Sequence, residues 1–226
     1  MALPFVVDPP LSVLPNLFPD PGELRAAVSG TRRAREIVVR LWLTEGPPFA
    51  FRNCPAVYED LRGWLGSRLA VHPKQITLVG SARFGYSLAP PPDFGKPFGV
   101  RSDLDLSVVS PSLFDRIVEA FQLFANDYRE GRVAPRNARE GDLWDANLEF
   151  GERNIPLGFL DTHKVPNFDR YAGAQQVNQA MWALVAKLRL TPGAPSIRRA
   201  STRVFRDWQC LIERASLNLR AALPVA

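Results

Sequence analysis

The run Asp103-Leu104-Asp105-Leu106-Ser107-Val108-Val109 constrains the fold more than any other part of this chain. A β-strand has a side-chain period of two, so both carboxylates point to one face. Leu104, Leu106 and Val108 then point to the other, toward a core. Two neighbouring carboxylates repel each other unless positive charge sits close by. A divalent cation removes that cost, and hard oxygen donors of this kind suit magnesium or manganese, which also bind substrate phosphates. Ser110-Pro111 follows as a helix start, a cap residue and then proline in the first turn. Phe114, Ile117, Val118, Phe121, Phe124, Ala125 and Tyr128 recur at helical spacing behind it.

The same reasoning divides the rest of the chain. Residues 1–22, with Pro4, Pro9, Pro10, Pro15, Pro19 and Pro21, are expected to form an extended arm. Apolar stripes predict helices over 23–44 (Ala34, Ile37, Val38, Leu41) and 55–69 (Val57, Leu61, Trp64, Leu65, Leu69). A short strand over 75–79 ends at Gly80-Ser81. Prolines 90, 91, 92 and 97 with Gly95 and Gly99 mark 89–101 as a loop. A third strand is expected over 155–160, with Pro156 at an edge or bulge. Residues 129–153 carry no clear period, although 143–150 also fits a strand. Helices over 174–190 and 199–223 close the chain, separated by Thr191-Pro192-Gly193. The expectation is an α+β fold divided into the arm, a core over 23–170 and a helical part over 171–226.

A strand ending in Gly80-Ser81, a turn with Gly85, and Ser102-Asp103-Leu104-Asp105 on the next strand resemble the nucleotidyltransferase superfamily that includes DNA polymerase beta. The resemblance covers about residues 75–190. It implies a small mixed sheet flanked by helices and transfer of a nucleoside monophosphate from a nucleoside triphosphate. Candidate acceptors are a protein, an RNA end or a second nucleotide. It also implies magnesium or manganese held by Asp103, Asp105 and a third carboxylate from a later strand. Asp161, at the end of the third expected strand, is the candidate, with Glu149 and Asp145 as rivals. Gly80 lets backbone approach a phosphate, Ser81 offers a hydroxyl, and a helix over 82–88 would add amide donors. Ser102 belongs to the same motif. Arg83 and Lys187 either reach phosphates or point to solvent, and His163 lies two residues beyond Asp161. Bacterial defence and toxin–antitoxin proteins and cyclic-oligonucleotide synthases are members of that superfamily. The alternative is a non-catalytic nucleotide-sensing or antitoxin-type module of the same fold, with a protein partner completing the site.

Charge adds one constraint. The chain carries a net charge of +5, and Lys187 to Ala226 holds eight basic residues against two acids. That segment suits a polyanion such as a triphosphate or RNA, or else forms a solvated basic face. Cys54 and Cys210 show neither metal-ligand spacing nor a disulfide framework. The N-terminus lacks the pattern of a signal peptide, and no apolar run approaches a membrane span. A reduced cytoplasmic protein without membrane contact is expected.

Overall fold

A computed structural model describes residues 11, 14 and 16–222, excepting the side chain of residue 222. Much of the expected arm over 1–22 therefore lies outside the described residues. At its end, Asp20 caps helix α1 (Pro21–Val28) in a capping box with Glu23. The single helix expected over 23–44 is divided. Thr31 caps a second helix, α2 (Arg32–Val38), which loosens into a π-helical turn over Val39–Leu43. Helix α3 (Pro55–Leu69) matches its stripe, and Ala70 closes it in the left-handed conformation.

Strand β1 (Ile76–Val79) leads into a single helical turn, α4 (Ser81–Phe84), shorter than the helix expected over 82–88. Strand β2 (Leu104–Val109) is followed by α5 (Pro111–Arg129), whose Ser110 cap accepts from the Leu113 amide. The unassigned segment contains a second long helix, α6 (Ala138–Asn154), capped by Asn137, so Asp145 and Glu149 are helical. Strand β3 is only Phe159–Asp161. Helix α7 spans Ala172–Leu190. The last expected helix is instead strand β4 (Ala200–Phe205) followed by helix α8 (Trp208–Ala222).

The four strands form one mixed sheet in the order β1-β2-β4-β3. β1 runs antiparallel to β2, β2 parallel to β4, and β3 antiparallel to β4. The molecule is thus α+β, with helices on both sides of a small sheet. Leu104, Leu106 and Val108 join Ile76, Leu78, Leu160 and Val204 on one face, buried against α3, α5 and α7. The opposite face is divided. Val79, Val109, Phe159 and Phe205 are covered by α1, α2, the π-helical turn and α8. Asp105, Ser201, Arg203 and Asp161 share that face at one end, and there no packed core covers the sheet.

Candidate functional site: an arginine-lined groove at one sheet edge

Strand direction gathers the polar residues. The C-terminal end of β1, the N-terminal ends of β2 and β4, and the C-terminal end of β3 lie along one edge of the sheet. A groove of about 1410 Å³ follows that edge, from Gly80 and Ser81 past Asp105, Arg198–Arg203 and Asp161 to Arg136, Trp182 and Arg189. The Gly-Ser turn and the second aspartate of the pair therefore meet, although the 89–101 loop separates them in sequence.

Their contact is close. Gly80 has φ +65° and ψ −148°, a conformation essentially reserved for glycine. A Cβ placed on it would lie 3.2 Å from Asp105 Oδ2. Gly80→Ala is expected to cost about 2 kcal/mol in backbone strain and to displace the Asp105 carboxylate. Gly99→Ala meets nothing within 4 Å and serves as the neutral control. Urea denaturation of the two variants checks this, with equal midpoints counting against it.

Each acid at the edge is met by a partner from β4 or its approach. Arg198 donates from Nε and Nη2 to Asp103 at 3.0 Å each, and Arg199 donates from Nε to Asp103 Oδ2 at 2.8 Å. Backbone pairing sets this up. The Arg198 amide donates to the Ser102 carbonyl, and the Leu104 amide donates to the Arg199 carbonyl. Partial burial pushes the Asp103 carboxyl up, but the two guanidinium groups outweigh it and hold it below the usual carboxylate range. Asp105 accepts a 2.7 Å hydrogen bond from the Ser201 hydroxyl, directly across the ladder. Asp161 accepts from Arg203 Nε at 2.5 Å and Nη2 at 2.9 Å.

These donors do not assemble a three-carboxylate metal centre. Asp161 lies two strands from β2, about 10 Å away by ordinary strand spacing, with Arg203 between. The position beside Asp105 is occupied by Ser201 rather than an acid. Among the described residues no group of three or more His, Cys, Asp or Glu side chains is arranged to hold a metal ion. The repulsion between Asp103 and Asp105 is relieved here by arginine and serine from the same chain.

Other expected site residues fall elsewhere. Arg83 is 1% exposed and turned away from the groove. Its guanidinium donates to the carbonyls of Trp42 and Glu45 and, at 2.8 Å, to that of Gly46. Burial lowers its pKa to about 10, and its bonds hold the end of the π-helical turn rather than a ligand. Lys187 is exposed outside the groove, with its ammonium 5.7 Å from the centre of the Trp64 ring. The Ser102 hydroxyl accepts from the Gly99 amide and closes the loop before β2. His163 lines the groove next to Asp161.

The residues that sequence reasoning missed are Arg198 and Arg199, just before β4, and Ser201 and Arg203 within it, because most of this segment fits the expected helix over 199–223. The alternation of Ser201, Arg203 and Phe205 with Thr202 and Val204 was the available signal. A second was Asp207, which accepts from the Cys210 amide and marks the true start of α8. Six arginines line the groove (136, 189, 198, 199, 203 and 214) against Asp105, Glu140 and Asp161. Arg203 and Arg214 both lie over the Phe159 ring. Burial lowers the pKa of Arg214, and the nearby Asp161 carboxylate opposes that shift. No helix among the described residues is long and apolar enough to cross a membrane. In comparisons with known proteins, the chain matches no family model, no curated protein and no solved structure.

Proposed function

We propose that the groove binds the phosphates of a nucleoside triphosphate and that the chain works as a nucleotide-binding module. The observation that carries this reading is the meeting of the Gly80-Ser81 turn with Asp105 beside the Arg198–Arg199 pair. Gly80 admits a phosphate close to the backbone, since it has no Cβ. Arginine forks match phosphate oxygens in pairs and stay charged at any physiological pH. Arg198 and Arg199 are 59% and 69% exposed in their side chains, so they can turn from Asp103 to an incoming anion. Arg203 is fixed by Asp161 and supplies charge at a set place. Charge neutralisation by arginine makes magnesium unnecessary for binding.

Calorimetric titration with each of the four ribonucleoside triphosphates, in excess chelator and again with magnesium, tests the reading. Binding of at least one triphosphate in chelator is expected. Failure of all four under both conditions rejects it. A second reading, metal-dependent nucleotidyl transfer to a protein, RNA or nucleotide acceptor, is favoured by the approach of Asp105 to Gly80. It predicts transfer of label from an α-labelled triphosphate only with magnesium or manganese, and loss of that transfer in Asp105→Asn.

A further inference from the structure

Beyond the arginine cluster, the groove changes character. Helix α7 presents Asn178, Trp182, Val185 and Arg189 along its wall, spaced as one helix face. Trp182 is 65% exposed and Phe168 is 42% exposed, although both are large aromatic groups. Phe168 is held in place by Trp144, at 6.3 Å between ring centres, and by the stacked ring of Tyr171 at 5.9 Å. It offers a rigid apolar surface rather than a loose side chain. Asn147 and Asn167 line the same stretch, and the side-chain oxygen of each is buried with no hydrogen-bond donor. Asn147 as a whole is 4% exposed, so water has little access to relieve it. Buried acceptors without donors are costly and make this wall polar beneath its aromatic rim.

We infer that this end of the groove binds a single-stranded nucleic acid, with bases stacked on Trp182 and Phe168. The inference rests on the triphosphate reading of the same groove and names the partner that lies beside it. Aromatic faces suit every base, and stacking on them needs no particular hydrogen-bond pattern. Arg189, on the same face of α7 as Trp182, meets the strand's phosphates. A folded protein partner would match the apolar rim but not the excess of arginine over acid in its floor. RNA and DNA share this chemistry, so the experiment carries both.

Fluorescence anisotropy with 5′-labelled A12 and dA12 oligonucleotides, over a salt series, reads the binding. The intact protein is expected to bind at least one of them, with affinity falling linearly on a logarithmic salt axis. Trp182→Ala is expected to weaken binding about tenfold or more, the effect of losing one stacked base. Trp182→Phe, which keeps a ring, is expected to restore most of it. Triphosphate titration of the same variants is expected to be unchanged. Triphosphate binding without oligonucleotide binding overturns this inference alone, whereas loss of triphosphate binding in the intact protein overturns the reading beneath it. Equal binding by the intact protein and Trp182→Ala, or a duplex bound as tightly as the single strand, also overturns the inference.

Discussion

Replacing Arg198 and Arg199 together by alanine is expected to weaken triphosphate binding by a factor on the order of 100 or more. Each charge-assisted hydrogen bond contributes about 1.5–3 kcal/mol, and every 1.4 kcal/mol is tenfold in affinity. The loss is compounded because Asp103, stripped of both partners, is left as an uncompensated anion behind the positions of the two arginines. Lysine at both positions is expected to recover only part of the affinity, since an ammonium keeps the charge but not the paired donors. Calorimetry at two salt concentrations separates the two contributions, because the charge part weakens as salt rises. Binding unchanged in the alanine double variant would remove these arginines from the site.

The same variant has a signature in pH. The arginine pair lowers the folded-state pKa of Asp103. A carboxyl lowered on folding contributes stability above its unfolded value of about 3.9, and that contribution disappears as pH falls through the folded value. The stability gap between the intact protein and the double variant is therefore expected to be full near neutrality and to close in strong acid. Urea midpoints measured from pH 7 down to pH 3 follow it, and a gap that widens in acid would contradict the pairing.

Phe124→Ala is expected to destabilise the protein by about 4 kcal/mol. Phe124 is completely buried at the centre of an aromatic group. Trp144 meets it edge-on at 5.3 Å and Tyr171 at 5.7 Å, while Tyr128 stacks on it at 6.1 Å. Truncation leaves a cavity that three rigid rings cannot fill, and it removes edge-to-face contacts worth about 0.5–1.5 kcal/mol each. The consequence extends to the groove, because Trp144 belongs to α6 and Tyr171 precedes α7, and those two helices form its far walls. Chemical denaturation gives the stability. Loss of less than about 1.5 kcal/mol would mean that the site collapses around the change and that the aromatic group is not rigid.

Much of the frame was legible because it depends on local chemistry. The Ser110-Pro111 start and the stripe from Phe114 to Tyr128 are decided within a few residues, and α5 forms where they place it. The stripe of α3 and the alternation of β2 are local in the same sense. Helix α6 is not legible in the sequence because its buried positions, Trp144, Leu148 and Gly151, are sparse among charged neighbours. Gly151 is there for a neighbour's sake, since a Cβ on it would fall 2.1 Å from Phe121. Strand β4 is not legible because Arg198–Phe205 reads continuously into the stripe of α8, and only pairing with β2 separates the two.

Sequence alone determined the elements whose stability is set by period and capping, and it set Asp105 opposite Leu104 and Leu106 on a strand beyond a Gly-Ser turn. Tertiary structure decided what Asp103 and Asp105 meet. Insertion of β4 between β2 and β3 placed Ser201 beside Asp105, Arg198 and Arg199 on Asp103, and Arg203 between Asp105 and Asp161. The physical reason is that the ladder partners of β2 and β4, such as Leu104 and Ala200, lie far apart in the chain. Register between strands is chosen by the burial of Leu104, Leu106 and Val204 across the whole sheet, and no local signal in either strand carries it.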